Sequence, residues 1–405
     1  MQAKTVCVIG LGYIGLPTAA LLANRQYQVH GVDVVQSTVD TINQGNIHIV
    51  EPDLDTFVRS AVNSGNLVAD IKPKESDVFI IAVPTPFHDG YVPNIDYVVS
   101  ATEAIAPYIK AGNIVILEST SPVGTTDKVA EVLESKGIDI STVHISHCPE
   151  RVLPGQIMRE LVENDRIVGG IDEEATVATV AFYKTFVSGK VLQTDAKTAE
   201  MAKLTENSFR DVNIAFANEL SILSDKFGID VWELISLANR HPRVNILQPG
   251  VGVGGHCIAV DPWFIVHAGG DDAKIIRTAR EVNNYKTEWA IEKIKNSVLR
   301  FEKENGRIAK VACMGLAFKP NIDDLRESPA IQVTRRLIAD GLNVLPVEPN
   351  LESLDEFNLV VDTEAINSAD IIVFLVAHEE FKGIRIFGKE VFDFCGVTNK
   401  EGLSK

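Results

Sequence analysis

Gly10-Leu-Gly12-Tyr-Ile-Gly15 follows the apolar run Thr5-Val-Cys-Val-Ile9 and opens a helical pattern that reaches about Asn24. Gln28-Val-His-Gly-Val-Asp33 comes next, a second strand that ends in an acid about 20 residues past Gly12. Strand, G-x-G-x-x-G, helix and a strand closed by an acid form a dinucleotide-binding unit. Gly10 permits the tight turn, Gly12 admits the pyrophosphate and Gly15 lets helix pack on strand. The free N–H groups of the helix start, here Tyr13 and Ile14 onward, favour phosphate. Asp33 suits two ribose hydroxyls and repels a 2′-phosphate, so the expected cofactor is NAD rather than NADP.

Outward from this motif, Asp77-Val-Phe-Ile-Ile-Ala-Val83 and Ile114-Val-Ile-Leu-Glu118 are further strands. Near-continuous apolar strands between helices predict an α/β fold with a parallel sheet covered on both faces. Val83-Pro-Thr-Pro86 closes one strand at the edge where such sheets bind ligands, which makes Thr85 a candidate cofactor contact. A long helix is expected from Thr194 to Lys226, and a second from about Ala273 to Leu299. Lys303-Glu-Asn-Gly306 reads as a linker. Beyond it the N-terminal order returns: the strand Ile308–Gly315, then Leu342-Asn-Val-Leu-Pro-Val-Glu348, then Ala369–Val376. Gly315 has no following glycines, so a second dinucleotide is not expected. Lys319 and Arg326 are candidate anion contacts there. The expected fold is two Rossmann-like doubly wound domains, 1–190 and 301–405, joined by a helical central domain, 191–300.

The net charge of −17 argues against nucleic acid, which needs a basic footprint. No run of apolar residues is long enough to span a membrane. Met1-Gln-Ala-Lys4 leads straight into the first strand, with no signal-peptide pattern. Five scattered cysteines make neither a disulfide framework nor a zinc site, and a reducing cytoplasm is the expected location.

Cys257 differs from the other four. It ends the glycine-rich loop Gly252-Val-Gly-Gly-His-Cys257, where the residues alone fit equally a core cysteine or, if a helix opens there, a thiol of lowered pKa able to act as a nucleophile. Cys7, Cys148, Cys313 and Cys395 read as core residues in or near strands. Lys203, Asn207 and Arg210 share one helix face, a stack able to hold an anion or an oxyanion, or simply a solvated stripe. Met201, Ala202, Leu204 and Phe209 leave that helix no single apolar face, so it reads as buried on several sides. Glu118-Ser-Thr-Ser-Pro-Val-Gly124, Cys148-Pro-Glu-Arg-Val-Leu-Pro-Gly155 and His241-Pro-Arg243 offer further polar groups.

Taken in order, these segments resemble the UDP-glucose/GDP-mannose dehydrogenase family over essentially the whole chain. The resemblance rests on Gly10–Pro17, Ile47–Pro52, Glu118–Pro122, Cys148–Pro154, Ala199–Asn207, His241–Ile246, Gly254–Trp263 and Leu316–Pro320. It implies oxidation of a UDP-sugar at C6 from alcohol to carboxylate, with two NAD per sugar and a homodimeric enzyme. It implies Cys257 as nucleophile, Lys203 and Asn207 as oxyanion stabilisers, and Asp261, Glu150 and Thr120 as a polar network around water. It further implies Thr126 and Arg326 as cofactor contacts. Arg151, Val152, Arg210, His241, Gly254, Phe318 and Lys319 are the implied substrate contacts, and Arg243 reaches the neighbouring subunit's substrate. His256 before the cysteine and Ile258-Ala-Val after it depart from the glucose enzymes. They put glucose in doubt, His241-Pro-Arg-Val-Asn245 resembles the N-acetylhexosamine branch, and the resemblance implies N-acetylmannosamine as the sugar, with N-acetylglucosamine and glucose as alternatives.

Overall fold

The computed structural model describes residues 4–398, so Met1–Ala3 and residues 399–405, the end of the expected domain 301–405, lie outside the described residues. The described chain forms two compact units, one up to Thr205 and one from Glu206 onward.

The first unit carries an eight-stranded sheet in the order Val191–Asp195, Arg166–Gly170, His144–His147, Ile114–Leu117, Val78–Ile81, Thr5–Ile9, Gln28–Val32, Leu67–Asp70. From Leu67 back to His144 this is the 3-2-1-4-5-6 order of a doubly wound sheet. One junction departs from the expected all-parallel pattern: His144–His147 pairs antiparallel with Arg166–Gly170, and Val191–Asp195 then runs parallel to that strand. An antiparallel addition at the margin of a parallel sheet is common. The strands are apolar because both faces are covered. Val8, Leu16 and Ile80 belong to the core on one side, and Cys7, Phe79 and Leu117 to the core on the other.

The second unit holds a four-stranded parallel sheet, Asn343–Val347, Lys310–Met314, Ile371–Phe374, Glu390–Asp393. Pro346 is tolerated because its strand lies at the edge. Again the two faces bury separate cores, around Val311 and Val373 and around Ala312 and Phe374.

The helix expected from Thr194 spans Ala196–Phe227, and Gly228 just past it has φ +68°. The helix expected to end at Leu299 runs Lys274–Asn305. The presumed linker is therefore that helix's last turn, closed by Gly306 at φ +62° with its N–H on the Glu302 carbonyl. The Ala196–Phe227 helix is not buried all round: Met201, Phe209, Phe216 and Phe227 are exposed, while Asn207, Ser208, Asp211, Asn218 and Ser221 are buried. Polar partners explain the inversion. From Lys274–Asn305, Arg280 donates to Asp211 (2.6 Å), Asn283 accepts from Asn218 (2.9 Å) and Lys286 donates to Ser221 (2.6 Å). A buried polar seam of this kind is tolerated because most of its groups pair with one another, although Ser208 Oγ, Asp211 Oδ2 and Arg280 Nε have no hydrogen-bond partner.

Candidate active site

At the carboxyl end of Thr5–Ile9, Gly10 adopts φ +91°. A Cβ there would lie 2.5 Å from the Ala82 carbonyl oxygen, and one on Gly15 would lie 1.7 Å from that of Gly10. Neither position accepts a side chain. Gly12 meets nothing within 4 Å and leaves the approach open, with Tyr13 exposed beside it. Asp33 Oδ2 accepts from the Leu11 amide (3.1 Å) and Oδ1 from Val35 (3.0 Å), which ties the acid to the glycine turn. An open Gly12, a helix start at Gly15 and an anchored carboxylate fit the pyrophosphate and ribose of a dinucleotide.

Neighbouring strand ends extend this edge. The Thr85 hydroxyl donates to the Thr120 carbonyl (2.6 Å), joining two of the expected residues. Thr126 is wholly buried in the first turn of Thr125–Ser135, and its amide and hydroxyl both donate to Glu200 Oε1 (2.7 and 2.6 Å). Glu200 Oε2 accepts from Gly124, so this carboxylate satisfies the helix start. Glu200 was not among the expected site residues, because its partners lie some 75 positions away.

Glu150 is buried and ion-paired with Arg166 on Arg166–Gly170. Its other oxygen accepts from the Arg151 amide (2.7 Å). The Arg166 guanidinium lies 5.6 Å from the centroid of the Tyr183 ring, and the Tyr183 hydroxyl donates to Glu118 (2.6 Å). Burial, reinforced by the Glu150 charge, pushes the Glu118 carboxyl up to about 7. Arg151 and Val152 follow half-buried, with Arg151 donating to the Asp165 carbonyl (3.0 Å).

In the second unit, Asn207 donates to Asp261 (2.5 Å), and both are buried. Asp261 opens the helix Asp261–Gly269, whose start is set by Pro262. Cys257 stands four residues earlier in the preceding turn, half-buried, with its carbonyl accepting from Val260 and Asp261 (3.0 and 2.8 Å). The loop before it is held on both long helices. Gly250 donates to Asn218 (2.9 Å), and the Thr287 hydroxyl donates to the Val251 carbonyl (2.7 Å). On the other side the Gly255 amide donates to the Arg326 carbonyl (3.1 Å). A Cβ on Gly254 would meet Phe318 at 2.8 Å, so Gly254, Phe318 and Arg326 are brought together around this loop. The Arg326 guanidinium is paired with Asp324. Lys319, Arg210, His241 and Arg243 are exposed, and Lys203 is half-buried on the Ala196–Phe227 helix.

Cys7, Cys148 and Cys313 are buried, and Cys257 and Cys395 are half-buried. Burial pushes the thiols of Cys7, Cys148 and Cys313 up to about 12, and Cys395 rises as well, with Asp393 adding to the effect. Among the described residues no cluster of His, Cys, Asp or Glu is placed to hold a metal ion, and no helix is long and apolar enough to cross a membrane.

Strand order, glycine turn and ribose acid define a Rossmann-type dinucleotide-binding protein. Residues 4–187 match the NAD binding domain of the UDP-glucose/GDP-mannose dehydrogenase family, residues 197–285 its central domain and residues 312–400 its UDP binding domain. The chain is 55% identical to a UDP-N-acetyl-D-mannosamine dehydrogenase of Campylobacter jejuni, with 97% of this chain and all of that protein covered. It is 53% identical to an NDP-N-acetyl-D-galactosaminuronic acid dehydrogenase of Ralstonia nicotianae, over 99% and 98% of the two chains. Among solved structures, the UDP-N-acetyl-mannosamine dehydrogenase of Staphylococcus aureus is similar with a TM-score of 0.85 and 41% identity, over 98% of this chain and 96% of that one. The chain belongs to the UDP-glucose/GDP-mannose dehydrogenase family and is an NAD-dependent nucleotide-sugar dehydrogenase.

Proposed function

We propose that this chain converts UDP-N-acetyl-D-mannosamine to its 6-carboxylate in two successive oxidations through a covalent intermediate on Cys257. The observation that carries the reading is the placement of Cys257, half-buried at the end of a glycine loop four residues before the buried Asp261–Asn207 pair, whereas Cys7, Cys148 and Cys313 are buried in or beside strands and the equally half-buried Cys395 stands beside Asp393. The name of the C. jejuni relative supports the sugar. The R. nicotianae relative favours a second reading, an N-acetylgalactosamine-type sugar on the same machinery.

NAD, when bound, would supply the hydride acceptor for each oxidation at C6, and Gly10, Gly12, Gly15, Tyr13, Ile14, Asp33, Thr85, Thr126 and Arg326 would hold and orient it. Once C6 is an aldehyde, the Cys257 thiolate adds to it: a C–S bond forms and the carbonyl electron pair moves to oxygen. Lys203 and Asn207 stabilise that oxyanion. A second oxidation leaves a thioester. Water, held by Asp261, Glu150 and Thr120, adds to it; the C–S bond breaks and sulfur departs as thiolate. Arg151, Val152, Arg210, His241, Gly254, Phe318 and Lys319 bind the UDP-sugar. Arg243 reaches the substrate of a second subunit in a homodimer. We read three domains, 1–190, 191–300 and 301–405, and a cytoplasmic pathway that supplies uronic acids for cell-surface polysaccharide as the setting.

Absorbance at 340 nm should show two NADH per UDP-N-acetylmannosamine consumed, and Cys257→Ala should abolish acid formation. One NADH per sugar, or an active alanine variant, would overturn the reading. UDP-N-acetylgalactosamine, UDP-N-acetylglucosamine and UDP-glucose assayed in parallel decide the sugar.

A further inference from the structure

The turn that carries Phe318 and Lys319 hangs from a buried pair that the proposed chemistry does not use. Glu348, at the end of Asn343–Val347, occupies the place in the second sheet that Asp33 occupies in the first. Its surroundings differ. Glu348 is buried, and Oε2 accepts from the Leu316 and Ala317 amides (2.8 and 3.0 Å) and faces His378 Nε2 (3.1 Å). Glu348 is only 4% exposed, and Oε1 accepts from both the backbone and side-chain amides of Asn350 (3.0 and 3.2 Å), whereas half-exposed Asp33 has a single N–H on each oxygen.

His378 is fully buried, and its partners assign its tautomer. Nδ1 receives the backbone N–H of Asn321 (3.0 Å), which only a lone pair can accept, and the side-chain amide nitrogen of Asn350 stands equally near it (3.0 Å). The ring proton therefore sits on Nε2 and is donated to Glu348. Asn321 lies at φ +61°, a left-handed conformation that a non-glycine residue keeps only when held there. Besides its N–H on His378, its Oδ1 accepts from the Glu379 amide (2.9 Å). The turn is thus gripped at its start by Glu348 and at its end by His378.

We infer that His378 is a positioning residue for UDP-sugar binding, acting through Nδ1 on Asn321 to set the Phe318–Lys319 turn, with Glu348 fixing the tautomer. The inference rests on the reading of Phe318 and Lys319 as UDP-sugar contacts.

Two isosteric substitutions separate the ring nitrogens. In His378→Asn the side-chain amide reaches the place of Nδ1 and can still accept from Asn321; in His378→Gln it reaches the place of Nε2 and keeps only Glu348. Calorimetry with UDP, the apparent KM for the UDP-sugar, kcat and NAD affinity are measured for each. His378→Asn should stay within about threefold of the unaltered protein. His378→Gln should weaken UDP binding and raise KM about tenfold, the loss of one buried hydrogen bond, with kcat and NAD affinity unchanged. A role limited to neutralising buried Glu348 predicts the reverse order, so a weaker His378→Asn, or two variants that both bind UDP normally, would overturn the inference. Should His378→Gln fail to fold, hydrogen exchange of residues 316–321 in the unaltered protein must slow on adding UDP, and unchanged exchange overturns it. If the unaltered protein bound no UDP, the reading of the site would fall together with the inference; if it bound UDP and only the variant order failed, the inference alone would fall.

Discussion

Asp33 uses both carboxylate oxygens before any ligand arrives, one on Leu11 and one on Val35. That orientation costs nothing at binding, because the backbone has already set it. Asp33→Asn keeps the shape but removes the charge that opposes a 2′-phosphate. NAD affinity should fall about tenfold or more, the scale of a hydrogen bond to a charged group, and the preference for NAD over NADP should narrow. Fluorescence titration with both cofactors checks this; an unchanged ratio would remove the role of Asp33 in selection. Asp33 could be read from spacing because strand, turn and acid are local. Arg166 could not: nothing in its neighbours announces that it will sit buried against Glu150.

Among the elements, the strand Ile114–Leu117 delivers Glu118 into a closed pocket. Tyr183 from Glu173–Tyr183, Thr18 from the first helix, Arg166 from its strand, and Glu150 and Cys148 after His144–His147 all face it. Its carboxyl is pushed up to about 7 from an ordinary 4.5. Between those values the unfolded chain has released the proton and the folded chain has kept it, so stability falls as pH rises through that window. Glu118→Gln should flatten the decline, as seen in denaturant midpoints from pH 4.5 to 7.5. An equally steep decline in the variant would show that Glu118 is not its source. The helix Ala196–Phe227 shows the opposite limit of sequence reading. Its buried face is written in Asp, Asn and Ser, and the polarity makes sense only beside Arg280, Asn283 and Lys286. Periodicity rests on large apolar residues pointing inward, and here Phe209, Phe216 and Phe227 point outward while Leu204 and small alanines such as Ala199 and Ala217 are buried beside the polar groups.

For the whole molecule, Phe209, Phe216 and Phe227 expose large apolar side chains along one helix. A homodimer that covers them is the expected state in solution. Sedimentation should give about twice the chain mass, and Phe209→Glu with Phe216→Glu should shift it toward the monomer; an unaltered protein that sediments as a monomer would refute it. The two sheets share the sequence pattern strand, glycine, strand ending in an acid, and the glycines at 10 and 315 both have φ +91°. The sequence by itself determined that common plan, the NAD fingerprint and the glycine loop of Cys257, because φ, strand alternation and turn chemistry act over a few residues. Only the tertiary structure decided that Asp33 stays half-exposed while Glu348 is sealed by His378, and that Asn207 meets Asp261. Those pairings join residues 30 and 54 positions apart, and burial supplies their energy, which no local pattern encodes.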